Sequence, residues 1–231
     1  MPETGSTNSD LLEAGLAGAP DRTVLRADHQ TAGRGRLDRT WEAAPGRNLL
    51  VSFLFREVPA DPHALSQAVA LAARQVARSV GVQADLKWPN DLLVGTAKLG
   101  GLLAQSGPVV DGRPSFVVVG IGVNIGDAPE GAASLIGSGA VRAVTPHGFL
   151  LEMLPVIDRL LAAGPGDLHA EYRSALSTLG SRVRAELPDG SVLRGRATDV
   201  TRDGRLVVLD EWAVTHRLDT ADVVHLRPDG S

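Results

Sequence analysis

Two lysines occur among the 23 basic residues of this 231-residue chain, and both lie in the segment Lys87-Trp-Pro-Asn-Asp-Leu-Leu-Val-Gly-Thr-Ala-Lys98. Every other basic residue is arginine. A chain that uses arginine for its solvated charges keeps lysine where a compact point charge on a flexible stem is needed, as at a reactive or phosphate-binding site. A second candidate is the loop Gln30-Thr-Ala-Gly33-Arg34-Gly35-Arg36-Leu-Asp-Arg39-Thr-Trp41. Its glycines let backbone approach a ligand closely, and its arginines can clamp a carboxylate or phosphate bidentately. Taken alone, such a run could equally be a solvated turn. A third element, Lys98-Leu-Gly100-Gly101-Leu, sets a lysine at the start of a strand whose small residues leave room for a ligand. The run Gly120-Ile-Gly122-Val-Asn124-Ile-Gly126 has neither the spacing nor the following helix of a dinucleotide fingerprint, so a Rossmann reading is rejected. The six histidines show no metal-ligand spacing and read as surface residues.

These groups need a scaffold. Thr23 to Asp28 reads as a strand, and the alternation in Leu49 to Phe55 as another, with a polar loop between them. Asp61-Pro62 supplies an N-cap and first-turn proline for a helix with Leu65, Val69, Ala72, Val76 and Val80 on one face, closed by Gly81. Strands follow around Leu86–Trp88, Leu92–Val94, Leu99–Gln105 and Phe116–Ile121, the last two joined by a hairpin at Asp111-Gly112. Thr145-Pro146 opens a helix through Leu161, Gly164-Pro-Gly166 breaks it, and a further helix runs to about Leu179. The expectation is an α+β fold, a mixed sheet flanked by helices, over residues 1–180.

From Ser181 the pattern becomes short β-segments, Val183–Leu187, Val192–Ala197, Leu206–Leu209, Ala213–Leu218 and Val223–Leu226, with turns at Asp189-Gly190 and Asp203-Gly204. Residues 181–231 therefore read as a small C-terminal β-barrel. It carries eight arginines against nine acids and one aromatic, Trp212, taken as barrel core, so it lacks a basic stacking surface for nucleic acid. With 43% hydrophobic and 22% charged residues the chain can bury a sizeable core, and a net charge of -4 argues against a broad phosphate-binding face. There is no cysteine, which excludes disulfides and thiolate chemistry and fits a reducing compartment. No signal-like N-terminus and no membrane-length apolar run is present, so a cytoplasmic protein without membrane partners is expected.

Together, Ser6-Thr-Asn8, the Gln30-to-Arg36 loop with Trp41, Lys87-Trp-Pro-Asn-Asp91, Lys98-Leu-Gly-Gly101, Gly120-Ile-Gly-Val-Asn124 and the terminal barrel resemble the biotin protein ligases over nearly the whole chain. The resemblance implies a class II synthetase-like catalytic domain with an SH3-like C-terminal domain. It also implies ATP-dependent ligation of biotin, through biotinyl-5'-AMP, to a lysine of a biotin carboxyl carrier domain. The residue roles follow by the same resemblance. Lys98, Arg36, Asp91 and Lys87 would be catalytic, with Lys98 at the biotin carboxylate and α-phosphate and Asp91 orienting or deprotonating the carrier lysine. Ser6, Thr7, Asn8 and Gln30 would hold the ureido head, and Gly33, Arg34, Gly35, Arg36, Lys98 and Gly101 would complete the biotin site. Arg34, Arg39, Trp41, Lys87, Asn90 and Asn124 would bind ATP, with Trp41 on adenine. The protein would hold no metal of its own, since Mg²⁺ travels with ATP, though Asn90 and Asn124 could help place it. Trp88 reads as core.

Family members often continue the arginine run with another basic residue or histidine and a glycine, where this chain has Leu37-Asp38. Ser6 opens the core almost at once, leaving no counterpart to the DNA-binding helix-turn-helix of some members, so neither DNA nor a repressor role is expected. A monomer or weak homodimer is expected. The rivals are a lipoate ligase or acyltransferase of the same fold, whose arginine-rich Ser-Gly-Gly-Gly loop is missing here, and a non-catalytic biotin-binding module. If a point charge is needed at the α-phosphate, Lys98→Arg folds normally yet loses at least roughly tenfold in adenylate formation, about 1.4 kcal/mol of transition-state stabilisation. Single-turnover adenylation at wild-type rate in the folded variant would refute this.

Overall fold

The computed structural model describes residues 1–37, 39–187, 189–219 and 222–225. In chain order the elements are β1 (Glu3–Thr4), α1 (Thr7–Leu16), β2 (Thr23–Ala27), β3 (His29–Gln30), β4 (Leu49–Phe55), α2 (His63–Ser79), β5 (Ala84–Lys87), β6 (Asp91–Val94) and β7 (Ala97–Ser106). A short ribbon β8 (Val109–Val110) and β9 (Arg113–Pro114) precedes β10 (Val117–Val123), α3 (Pro146–Ala162) and α4 (Pro165–Ala175). The chain then forms β11 (Arg182–Glu186), β12 (Val192–Val200), β13 (Leu206–Asp210), β14 (Thr215–Leu218) and β15 (Asp222–His225). Leu226, assigned to the last strand from sequence, lies outside the described residues.

The main sheet has the order β2-β4-β10-β7-β6-β5. It was expected as mixed, but every pairing in it is antiparallel, and among the described residues parallel pairing is confined to β1–β3 and a single bridge from Leu86 to Leu176. Both faces are covered. Leu54 and Val118 pack with Leu11 of α1 on one side, while Val51, Phe53, Val119 and Ile121 join α2 and α3 on the other. All seven residues of β4 are buried for that reason, and the alternation read into Leu49–Phe55 gives way to a strand apolar on both faces. α1 itself went unread from sequence. Its buried positions are Thr7, Asn8, Leu11 and Gly15, too polar and small to show a helical apolar stripe.

α2 begins where the Asp61 carboxylate accepts from His63 N–H at 3.1 Å, and Thr145 caps α3 by accepting from Gly148 N–H at 3.0 Å. α4 ends at Ala175 and does not reach Leu179, because the next residues extend along the outer edge of β5. There Ser177 donates to Leu86 O through both its N–H (2.8 Å) and its hydroxyl (2.9 Å), and Thr178 Oγ1 accepts from Trp88 N–H at 2.9 Å. Trp88 is core as expected, 2% exposed, and its Nε1 donates to Gly204 O at 2.8 Å.

The C-terminal strands form a five-stranded antiparallel sheet, order β14-β13-β12-β11-β15, with a bulge in β12 between Ala197 and Asp199. Its interior residues Val183, Ala185, Ala197, Leu206 and Val208 belong to the same buried cluster as α2 and the main sheet. Trp212 is not part of that core; it is 75% exposed. The Asp210 carboxylate accepts from Trp212 N–H (2.9 Å) and Val214 N–H (2.8 Å), making a tight turn at the β13–β14 tip that points the indole outward. Among the described residues, no helix is long and apolar enough to cross a membrane.

Candidate active site

One cleft over the main sheet gathers Ser6, Thr7, Asn8, Gln30, Arg34, Gly35, Arg36, Arg39, Trp41, Lys87, Asn90, Asp91, Lys98 and Gly101. Of the sequence-derived site residues only Gly33 and Asn124 are missing from its lining. Gly33 closes the neck of the arginine loop, its carbonyl accepting from Trp41 N–H at 2.9 Å. Asn124 lines an adjoining cleft of about 260 Å³ that shares Thr40, Trp41 and Lys98 with the first.

The polar end is organised by the N-terminal segment. Pairing of β1 with β3, together with hydrogen bonds from Thr31 N–H to Thr4 O and Ala32 N–H to Gly5 O, brings the start of α1 against Gln30. Gln30 Oε1 then accepts from Thr7 N–H at 2.8 Å and from the Thr7 hydroxyl at 2.9 Å. Thr7 Oγ1 also contacts Ser52 Oγ at 2.7 Å, and Ser52 donates to Asn8 Oδ1 at 2.6 Å. Asn8 Nδ2 donates to Leu103 O and Gln105 Oε1, so its amide is a strut that fixes the network. A Cβ at residue 120 would meet Asn8 Oδ1 at 2.1 Å, which is why glycine stands there. Ser6, by contrast, precedes α1 without a side-chain cap bond, leaving its hydroxyl for the cleft.

At the charged end three strands present a row across the sheet, with Asp91 opposite Gly101 and Gly101 opposite Gly122. Lys98 Nζ reaches Asp91 Oδ1 at 2.6 Å and lies 5.6 Å from the centre of the Trp41 ring. The indole rests on the bare backbone of the glycine pair; a Cβ at Gly122 would lie 2.4 Å from it. Trp41 Nε1 and Asn124 Oδ1 are both buried and without a partner. An unpaired buried donor or acceptor costs about 1–3 kcal/mol, and one of each beside the same cleft is what a ligand with both functions would satisfy. Asn124 Nδ2 is taken by Ala133 O at 3.0 Å, and Asn90 Nδ2 by Leu102 O at 2.7 Å. Both amides therefore have their oxygens left to offer. Among the described residues no cluster of three His, Asp or Glu converges.

The Leu37-Asp38 departure falls partly out of view, since Asp38 lies outside the described residues. Leu37 lines the cleft with φ 54°, a left-handed conformation that suits glycine and strains a bulky residue. Sequence reasoning missed Ser52, the cleft walls Leu50, Val51, Leu102 and Ile121, and Val223, which reaches the cleft from the C-terminal sheet. The glycines at 120 and 122 were part of the motif that carried the resemblance, but no role was assigned to them from sequence.

Residues 2–124 match the Biotin/lipoate A/B protein ligase family and residues 178–226 the Biotin protein ligase C terminal domain. The chain is 40% identical to a biotin–[acetyl-CoA-carboxylase] ligase of Mycobacterium tuberculosis, over 98% of this chain and 88% of that protein. It is 26% identical to the bifunctional ligase/repressor BirA of Bacillus subtilis, over 88% of this chain and 66% of that one. Its fold is similar to that of a biotin protein ligase from Aquifex aeolicus solved with biotin and ATP, with a TM-score of 0.80, 24% identity and coverage of 99% and 97%.

Gly122→Ala tests the seat of Trp41. The added methyl overlaps the indole, and relieving that overlap costs about 1–3 kcal/mol of the loop's ordered position. The variant should keep its fold by circular dichroism while its tryptophan emission shifts. Unchanged emission in a folded variant would show that Trp41 does not sit where described.

Proposed function

We propose the following reaction for this chain, which belongs to the biotin/lipoate A/B protein ligase family: it activates biotin with ATP and transfers it to a lysine of a biotin carboxyl carrier protein. The observation that supports it most is the meeting of Lys98, Asp91, Lys87 and the loop arginines in one cleft whose other end is a buried hydrogen-bonding network. For that role we divide the chain into a catalytic part, 1–180, and a C-terminal part, 181–231. A biotin-type C-terminal domain favours biotin over lipoate as the acid.

In this reading the ureido head, whose donors and acceptor need partners once buried, lies among Ser6, Thr7, Asn8 and Gln30. Its carboxylate points to Lys98, with Gly33, Gly35 and Gly101 giving room and Arg34 and Arg36 gripping the acid and then the adenylate. In-line attack of the carboxylate on the α-phosphate releases pyrophosphate and leaves biotinyl-5'-AMP. Negative charge collects at one phosphorus, so fixed cations stabilise that step more than covalent enzyme chemistry would. Lys87 and Arg39 serve the phosphates. Trp41 and the orphaned Asn124 Oδ1 border the nucleotide, and Asn124 and Asn90 can also offer amide oxygens to the Mg²⁺ that ATP brings.

The Lys98–Asp91 pair orders the two half-reactions. Before substrate binds, each neutralises the other at 2.6 Å. When an anionic carboxylate and phosphate draw Lys98 away, Asp91 is left to receive the ammonium of the incoming lysine, to orient it and take its proton.

Biotin with Mg-ATP should release pyrophosphate, and lipoate should not; calorimetry should likewise show binding of biotin alone. Equal rates with lipoate would sink the assignment of the acid. Asp91→Asn should cut transfer to a carrier domain on the order of 10²-fold, the loss expected of a positioned base. Adenylate formation should fall only a few-fold, through the loosened Lys98. Equal losses in both half-reactions, followed separately by quench-flow, would remove Asp91 from the nucleophile's path.

A further inference from the structure

Asn48 immediately precedes β4 and is 2% exposed, yet it lines neither cleft. Its side-chain oxygen accepts from three consecutive main-chain N–H groups, those of Ile125 (2.9 Å), Gly126 (3.2 Å) and Asp127 (3.3 Å). One residue earlier, Arg47 O accepts from Gly126 N–H at 3.0 Å, and the Arg47 guanidinium forks onto Asp127 at 2.8 and 3.2 Å. Two adjacent residues thus pin the three that follow Asn124. A nonpolar residue at 48 would take this shared acceptor from the N–H groups of Ile125 and Asp127, leaving only Gly126 with Arg47 O.

Nothing in the chemistry of biotin activation touches Asn48, and a strand could begin at Leu49 without it. Its bonds go to the turn that leaves β10, and that turn sets where Asn124 Oδ1 stands, because the Asn124 N–H is fixed to Leu99 O at 2.8 Å on the other side. We propose that Asn48 is a positioning residue for the nucleotide end of the site: through residues 125–127 it holds Asn124 Oδ1 at the cleft beside Trp41 and so tunes recognition of ATP and not of biotin. This rests on the reading that ATP occupies that cleft. The biotin end depends on a different set of bonds, those joining Thr7, Gln30, Ser52 and Asn8, so the two substrates should respond separately.

The test is pyrophosphate release by the full chain, titrated with ATP at saturating biotin, together with calorimetric biotin binding. Asn48→Ala should raise the KM for ATP roughly tenfold, the order of loss that follows a small misplacement of a binding group, while the biotin Kd stays near wild type. Asn48→Asp should restore the ATP KM, since a carboxylate can accept from the same three donors and is stabilised by them. Should Asn48→Ala fail to fold, Arg47→Ala, which breaks an exposed pair, should raise the ATP KM by a smaller factor with biotin binding again unchanged. A ratio of ATP KM to biotin Kd that stays constant in these variants, whether both rise or neither does, overturns the proposal and leaves Asn48 a folding residue. A wild-type chain that releases no pyrophosphate with biotin and ATP takes down the reading first, and the inference with it.

Discussion

The indole of Trp41 reaches the main sheet only because two facing strands, β7 and β10, both lack a side chain where it lands. Gly101 and Gly122 are directly opposed, and together they make a shallow bare floor in an otherwise crowded surface. Once the ring is seated there, much else follows. The arginine loop is tied down at its far end, with Trp41 N–H on Gly33 O closing its neck. Lys98 is confined between the ring and Asp91, so its ammonium has few places to be. The ring also stands where the site cleft meets the adjoining cleft beside Asn124, since Trp41 lines both. A methyl group at Gly122 would overlap the ring and disturb all of these together, whereas one at Gly101 would crowd mainly the end of the Lys98 side chain.

A second constraint is that the lysine-bearing segment sits at the margin of the sheet. Lys87 ends the short strand β5, Asp91 begins β6 and Asn90 lies in the turn between them, and two such strands gain little from each other alone. Their rigidity is supplied from outside the sheet, by Ser177 and Thr178 on one side and the Trp88–Gly204 hydrogen bond on the other. The C-terminal sheet therefore contributes to the geometry of the charged site through main-chain contacts and through Val223 at the cleft wall.

What could be read from the chain was what local pattern encodes. The confinement of lysine to one segment, the proline-started helices and the Asp-Gly turns all have short-range causes, and the cleft brings the motif residues together. What escaped has long-range causes. Asn48 and Ser52 look like ordinary polar residues just before and in the middle of an apolar strand, and only the fold shows that residues 125–127 and Thr7 come to meet them. α1 was hidden because its inward face is built for hydrogen bonding, Thr7 and Asn8 included, and so carries almost no apolar signal. Trp212 was placed inside on hydrophobicity alone, whereas the Asp210 turn fixes its direction regardless.

The strip of chain running along β5 has a further meaning. β5 ends the sheet, and an uncovered terminal strand presents a row of free N–H and C=O groups to which any extended chain can add. Here Leu176 to Thr178 take that place, bonding to Leu86 and Trp88 before another molecule can. The connection between the two sheets is thus a molecular selvage, the woven border that keeps a fabric from unravelling or being sewn to its neighbour. Cutting the chain ahead of Leu176 would leave the lysine-bearing margin sticky, so loss of the C-terminal part would show itself as self-association as well as a misplaced Lys87.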